Sequence, residues 1–572
     1  MFTRIKVVGF SFLILFSLLL VRLFYWQVYK SEELSVQARK QYQTGYELSA
    51  PRGEILASDS SWLAATQEAW LVYASLPDVT MSHKDVAEKL APLFVDEDPK
   101  VDYHDRLLAE IGRIETVLSR EGVVWAPIKS KVDRDVKEQI ETMDISGIGF
   151  EEEDSRYYPE ASTAAQILGF VGKNEDGDDE GYFGLEGYYN SVLSGKPGFL
   201  TRESDASGLP IILGTSTEVS AIGGVDLVTS IDKAIQINLD SKLKDGIEKY
   251  GAKGGTAIVM EPSSGRILAM SSYPSYDPAK YSDYGDSYFL NPAISSSFEP
   301  GSVFKVVIMA SALDMGAVEP DTECDICSSA LRIGEYTIRT WDNTYHPNST
   351  MTDVIVHSDN VGMAFAGGRM GADNMYNYLD KFGIGKLTGI DLQGEATPQL
   401  RNSGSWAEID VATASFGQGV AVTPVQLIRA VGAIANNGVM TTPSVVDKII
   451  QDGWEEDVRK KNEQRVVSDK AAKEITAMMA EAAENGESKW TYMRGYKVAG
   501  KTGTAQIPIA GHYDDEKTIA SFIGFAPYDD PKFIMLITLH QPETSQWASE
   551  TAAPLWYSIA GDLFSYFGIQ PK

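Results

Sequence analysis

Apolar positions are distributed unevenly along this chain, and residues 1–30 stand apart from the rest. Residues 7–21 carry only apolar and small side chains, preceded by Arg4 and Lys6. Leu23, Phe24, Tyr25 and Trp26 follow Arg22 and extend the run to Val28. About twenty such residues cross a bilayer as a helix, so a single span is expected here. Arg22 can snorkel to the interface, where Tyr25 and Trp26 also belong. The chain continues Tyr29-Lys30-Ser31-Glu32-Glu33 without a small-x-small cleavage site, which favours an uncleaved anchor over a signal peptide. The early basic residues predict a cytoplasmic amino end and an extracytoplasmic remainder.

Beyond the anchor the pattern alternates between helix and strand periods. Residues 84–144 read mostly as amphipathic helix, as in 86–90 and 132–143. Residues 174–181 are acidic and contain glycine, and they read as a loop. Asp176, Asp178 and Glu180 are spaced as in a calcium loop. No Glu stands at the twelfth position from Asn174 or Asp176, so an EF-hand is not expected. The texture changes near Gly223-Gly224. Residues 226–230 read as a strand and 234–250 as a helix. Strands 256–260 and 266–272 flank a turn at Glu261-Pro262-Ser263-Ser264-Gly265. Two more strands, 520–525 and 533–539, precede a helix over 552–567. Strands at both ends of one region, with helices between, predict an α+β domain whose sheet joins distant segments. The expected division is 1–30 as tip and anchor, 31–222 as a first extracytoplasmic domain, and 223–572 as a second.

Composition adds limits. A chain of 572 residues is too long for one ordinary core. Hydrophobic residues at 43 % argue against global disorder. Acidic residues number 80 against 50 basic ones, a net charge of −30, so nucleic acid is not an expected partner. The two cysteines cannot supply a disulfide framework.

The candidate chemistry lies in three short motifs: Ser302-Val303-Phe304-Lys305, Ser358-Asp359-Asn360 and Lys501-Thr502-Gly503. A serine hydroxyl needs a nearby base to act as a nucleophile at neutral pH. Glu299-Pro300-Gly301 leads into Ser302, and the apolar run from Val303 to Leu313 predicts a helix with Ser302 at its amino end. Lys305 then lies one turn along on the same face. Its amine must be desolvated or set near another cation to serve as the base. The apolar neighbours and Lys501 meet those two needs. The Ser302 N–H at a helix amino end offers one oxyanion donor, and the Thr504 N–H a second. Ser358 can relay a proton and Asn360 can hold a substrate amide. Lys501 with the Thr502 and Thr504 hydroxyls suits a carboxylate. Gly503 lets a substrate backbone approach closely. Ser-x-x-Lys recurs at Ser230 to Lys233 and at Ser241 to Lys244, both without a Pro-Gly lead, and both read as structural.

The ordered set is a signature shared by class A β-lactamases and penicillin-binding proteins. Over nearly the whole chain the sequence resembles the class B penicillin-binding proteins. Arg52-Gly53-Glu54-Ile55 resembles their first box. That box then departs, with Ala57-Ser58-Asp59-Ser60-Ser61 where the family usually has Asp-Arg-Asn-Gly. Arg156-Tyr157-Tyr158-Pro159, Gly184-Leu185-Glu186 and residues 193–198 match the family's pedestal (dimerisation) domain. Thr229 to Asp232 with Gln236, Asn291-Pro292-Ala293, residues 299–305, Ser415 to Gly419, Thr423 to Gln426 and residues 500–506 match its transpeptidase domain. The resemblance implies an elongated pedestal followed by a serine β-lactamase-like domain, an antiparallel sheet flanked by helices with a helical subdomain. It also implies a reaction. Ser302 attacks the penultimate D-Ala carbonyl of a peptidoglycan stem peptide, releases the terminal D-Ala, and passes the acyl group to an amine of a neighbouring stem. β-Lactams acylate the same serine. No metal or organic cofactor is implied. The amino-terminal region has no motif for a glycosyltransferase domain, and the expected partners are a SEDS-type membrane glycosyltransferase with division or elongation proteins in the plasma (inner) membrane. Gly417-Gln418-Gly419 and Ile338-Arg339-Thr340-Trp341-Asp342 look more like the septal subgroup than the elongation type.

Alternatives stay open at this point. Cys324-Asp325-Ile326-Cys327 fits a short-loop disulfide or two free thiols; a zinc site lacks ligands. His357 beside Ser358 reads as a neighbour, because Lys305 already supplies the base. Trp341 and Asp342 line the cleft or form a plain turn. A D,D-carboxypeptidase or β-lactamase-like hydrolase, and a non-catalytic division scaffold, are the competing functions.

Overall fold

The computed structural model describes residues 2–35, 43–95, 101–203, 216–459, 462–509 and 512–571. Two compact units are present: one comprises residues 1–52 with 194–224, the other residues 53–193 with 225–572.

In the first unit, Phe2–Phe24 is an α-helix that runs on as a π-helical turn, Tyr25–Tyr29. The 28-residue stretch Phe2–Tyr29 is long and apolar enough to span a membrane, and none of it is buried. The unit also holds an antiparallel sheet ordered Gln43–Leu48, Gly198–Glu203, Ser216–Val219.

The second unit holds two large sheets. Five antiparallel strands run in the order Ile267–Tyr273, Gly254–Met260, Phe533–His540, His512–Ala526, Ala499–Ile509. The sequence ends of the domain thus meet side by side, as the strand pattern predicts. Successive residues of a strand face opposite ways, and here both faces are covered. Ile258 and Met260 join the core under the helices Lys305–Asp314 and Pro424–Ala435. Ala257 and Val259 pack instead with Leu239, Leu243, Trp556 and Leu563 of the helices Lys233–Tyr250 and Ala552–Tyr566. With both sides covered, every residue of Gly254–Met260 is buried, where the sequence suggested an alternating strand.

The second sheet carries the chain across position 222. Asp226–Thr229 pairs in parallel with Ile55–Leu56 and antiparallel with Val446–Gln451. Ile55–Leu56 continues to Trp62–Ser75, which pairs with both Trp125–Val132 and Ile148–Tyr157. A small separate core lies here, with Val72, Leu90, Ile114 and Ile128 inside it. The expectation of mostly helix over 84–144 holds for His83–Phe94, Tyr103–Leu118 and Arg134–Thr142. It fails at Trp125–Val132, where alternating burial of Ala126 and Ile128 marks a strand that the helix reading ran through. Residues 174–181 also differ from a plain loop. Phe170–Lys173 and Asp179–Tyr182 form a hairpin, and the Asn174 side chain accepts from the Asp176 and Asp178 N–H groups to shape its turn.

Candidate active site

The turn that carries Ser302 is held from behind. Phe298 and Val422 exchange two backbone hydrogen bonds, and the Gly301 N–H donates to the Gly417 carbonyl at 3.1 Å. Gly301 has φ +57° and Gly417 has φ +82°. A Cβ on Gly417 would lie 2.2 Å from the Gly301 carbonyl oxygen, so glycine is required for this contact. Ser302 itself sits in a 3-10 turn, Gly301–Phe304, and the α-helix begins only at Lys305. The helix expected from Ser302 onward is therefore tighter in its first turn. Among the described residues the Ser302 hydroxyl makes no hydrogen bond, and Ser302 lines a cavity with Trp341, Asn360, Glu487, Thr504 and Trp547.

Lys305 is wholly buried. Its Nζ donates to the Ser358 carbonyl at 2.5 Å and to Asn360 Oδ1 at 2.8 Å, and lies 3.2 Å from the Ser358 hydroxyl. Burial first, and the Lys501 charge second, push its pKa down to about 7; Glu487 and Asp359 oppose the shift. Ser358 adopts φ +56° between two helices, Met351–Val356 and Asn360–Met370. This left-handed conformation is strained for a serine. The Asp359 carboxylate follows it directly and caps the second helix, accepting from the Val361 N–H at 2.7 Å. Asn360 is fixed at its other end, where Nδ2 donates to the Arg339 carbonyl at 2.9 Å.

Lys501 reaches the same hydroxyl from the edge strand Ala499–Ile509, with Nζ 3.0 Å from Ser358 Oγ. Its other hydrogen bonds go to the Thr502 carbonyl at 3.3 Å and hydroxyl at 3.2 Å. Burial lowers its pKa as well, against the opposing pull of Glu487. The Thr502 hydroxyl donates to Glu487, and the Thr504 hydroxyl accepts from the Ala548 N–H at 3.0 Å. Gly503 is also required by the chain's own packing. A Cβ there would meet Val303 Cγ1 at 2.8 Å and Val303 N at 3.0 Å. The nucleophile turn and Ser521 Oγ, also at 2.8 Å, thus both require glycine at this position.

Ser302, Lys305, Ser358, Asn360, Lys501, Thr502, Gly503 and Thr504 are thus brought together. Trp341 joins them at the cavity wall, edge-on to Trp547 with ring centroids 5.3 Å apart. Asp342 does not. Its carboxylate accepts from the Thr344 N–H at 2.9 Å, and it lines a neighbouring cavity with His346, His357 and Asp359. His357 stacks on His346 at 4.3 Å. Cys324 and Cys327 form a disulfide. The two decoy serines are structural: Ser230 is buried and donates to the Ile267 carbonyl at 2.7 Å, and Ser241 lies within the helix Lys233–Tyr250. The motifs gave no sign of Glu487 or Trp547. Glu487 follows the end of the helix Asp469–Asn485 and has no signature of its own.

Comparison with known proteins agrees with this arrangement. Residues 255–561 match the penicillin binding protein transpeptidase domain, and residues 47–229 match the penicillin-binding protein dimerisation domain. Stage V sporulation protein D of Bacillus subtilis is 31 % identical over 98 % of this chain and 85 % of its own length. The peptidoglycan D,D-transpeptidase FtsI of Buchnera aphidicola is 31 % identical over 77 % of this chain and 75 % of its own. Among solved structures, penicillin binding protein 3 of Mycobacterium tuberculosis complexed with aztreonam superimposes with TM-score 0.70 at 26 % identity, covering 92 % of this chain and 98 % of that one. The chain belongs to the class B penicillin-binding proteins, in which a dimerisation domain precedes a transpeptidase domain.

Proposed function

We propose that this chain is a peptidoglycan D,D-transpeptidase in which Ser302 is the nucleophile, acting in cell-wall synthesis at division. The observation that carries the assignment is the buried chain Lys305 Nζ, Ser358 Oγ, Lys501 Nζ, with Ser302 one turn before Lys305 and its hydroxyl unbonded among the described residues. A neutral amine has two protons and one lone pair. Lys305 donates its two protons to the Ser358 carbonyl and Asn360 Oδ1, which leaves the lone pair for the Ser302 proton.

Ser302 Oγ attacks the penultimate D-Ala carbonyl as its proton passes to Lys305. The Ser302 and Thr504 N–H groups receive the oxyanion. Collapse breaks the amide bond, and the leaving D-Ala nitrogen takes a proton through Ser358, replenished from Lys305. An amine of a second stem then attacks the ester carbonyl, loses its proton along the same path, and releases Ser302. Lys501, Thr502 and Thr504 hold the terminal carboxylate, Asn360 holds a substrate amide, and Trp341 borders the donor. β-Lactams stop after the first half. The regions 1–30, 31–222 and 223–572 are read as anchor, pedestal and catalytic domain. The apolar stretch Phe2–Tyr29 supports a membrane anchor, and Arg4 and Lys6 before it support a cytoplasmic amino end; a SEDS-type glycosyltransferase is the proposed source of glycan strands.

Labelling the purified full chain and its Ser302→Ala variant with a fluorescent penicillin tests the assignment. Stable labelling of the parent alone is expected. Equal labelling of both overturns Ser302 as nucleophile, and rapid turnover of the drug makes the chain a hydrolase instead.

A further inference from the structure

The loop after the helix Asp469–Asn485 places a carboxylate where the proposed substrate carries its own. Gly486 fixes the loop's backbone: a Cβ there would lie 2.4 Å from the Ala482 carbonyl oxygen and 2.8 Å from that of Val356. The next residue, Glu487, lines the Ser302 cavity. Its Oε2 accepts the Thr502 hydroxyl and stands 3.8 Å from Lys501 Nζ.

The proton inventory at this corner is closed. An ammonium has three protons and a hydroxyl one. Lys501 directs its three toward Ser358 Oγ, the Thr502 carbonyl and the Thr502 hydroxyl. Thr502 gives its single proton to Glu487. Thr502 has no proton to spare for a ligand carboxylate while Glu487 holds it, and Lys501 reaches one only by giving up one of its three present partners. An incoming anion also meets the Glu487 charge at short range, at a site where charges are weakly screened.

We propose that Glu487 is an internal carboxylate seated in the donor-carboxylate subsite, and that it must release the Thr502 hydroxyl before an anionic donor can bind. Glu487 is on this account a selectivity residue. It lowers acylation by donors with a free carboxylate relative to donors without one. Its side chain keeps about a fifth of its surface open to solvent (21 %), which gives the displaced carboxylate water to enter.

The inference rests on Ser302 being the nucleophile, and the experiment separates the two. Second-order rate constants for acylation of Ser302 are measured with benzylpenicillin and with its methyl ester, for the full chain and for Glu487→Gln. The glutamine keeps the shape and removes the charge, and thermal melting confirms that the variant is folded. The penicillin-to-ester rate ratio is expected to rise about tenfold or more in the variant. Using the ratio removes any general loss of activity from the comparison. Glu487→Ser, which removes both charge and reach, carries the same expectation if the glutamine variant is unstable. A ratio within about twofold of the parent's in both variants overturns the inference and leaves Ser302 as nucleophile. Failure of the parent to be acylated by either compound overturns both readings together.

Discussion

Lys501 Nζ lies 3.0 Å from the Ser358 hydroxyl, joining residues 143 positions apart in the sequence. Lys305 approaches the same oxygen from the opposite motif, at 3.2 Å. Two ammonium groups on one buried hydroxyl repel each other, and burial disfavours charge on both. The arrangement is stable with one lysine neutral. Lys305 is the one whose pKa falls to about 7, because burial and then the Lys501 charge outweigh the opposing charges of Glu487 and Asp359.

The acylation rate should therefore follow the neutral form of Lys305. With its pKa at about 7, the rate constant for a penicillin is expected to climb as pH rises through about 7 and to level off above it. Lys501 contributes to holding that value down, so Lys501→Ala should move the rising limb to higher pH as well as lower the plateau. A pH profile of the acylation rate constant, taken at fixed ionic strength, checks both statements.

Removing the base should be more drastic than moving its pKa. Lys305→Ala is expected to lower acylation by about a hundredfold to ten-thousandfold, without abolishing the fold. A variant that is acylated at the parental rate in a stopped-flow or gel time course would refute Lys305 as base.

Gly417 offers a test of positioning. Its position against the Gly301 carbonyl leaves no room for a methyl group, and its φ of +82° is unfavourable to any other residue. Gly417→Ala should displace the Ser302 turn. The acylation rate constant should fall by about tenfold or more, and urea unfolding should show a loss of about 1–3 kcal/mol.

How far the sequence anticipates this site depends on the range of the interaction. Ser302, Lys305, Ser358, Asn360 and Lys501 were legible because each lies in a compact motif whose order is informative. The strands 226–230, 256–260 and 533–539 were legible because residues facing one or both buried faces repeat over several positions. Trp125–Val132 was lost because its alternation spans only a few buried residues and sits between two amphipathic helices. Glu487 was invisible for a different reason. Nothing near it in sequence announces a role, and its contact with Thr502 depends on where a helix end meets a strand. Gly503 lies in a recognisable motif, yet only packing reveals Val303 and Ser521 as the groups it accommodates. Asp342 is next to a cleft residue in sequence, yet its side chain turns back to the Thr344 N–H.

The disulfide should matter little to the chemistry. Cys324 and Cys327 are three positions apart, so their bond closes a very short loop. Restricting so small a loop stabilises the fold by about 2 kcal/mol at most on the chain-entropy view. Replacing both cysteines by serine is expected to lower unfolding stability by that amount or less, with Ser302 acylation within about twofold of the parent. Without reductant, mass spectrometry after alkylation of the unfolded parent should find both cysteines unmodified; reduction first should expose both.

The pedestal strand Ile148–Tyr157 is fastened to the rest of its unit by a buried ion pair, and this gives a sharper stability test. Arg156 Nε lies 2.7 Å from Glu186 Oε1, with side chains only 4 % and 0 % exposed. Arg156 also donates to the Gly53 carbonyl at 2.8 Å and to the Thr66 hydroxyl at 3.1 Å. Breaking one half of such a pair strands a charge in a poorly solvated place and costs about 3–5 kcal/mol. Arg156→Met is expected to fall in that range, because it leaves the fully buried Glu186 carboxylate without its guanidinium. Glu186→Gln should cost less, since Arg156 keeps its bonds to Gly53 and Thr66. The double variant should be more stable than Arg156→Met alone, as the buried charge that lost its guanidinium is gone. Denaturant unfolding of the three variants decides the matter: strictly additive losses would show that the two side chains are not coupled.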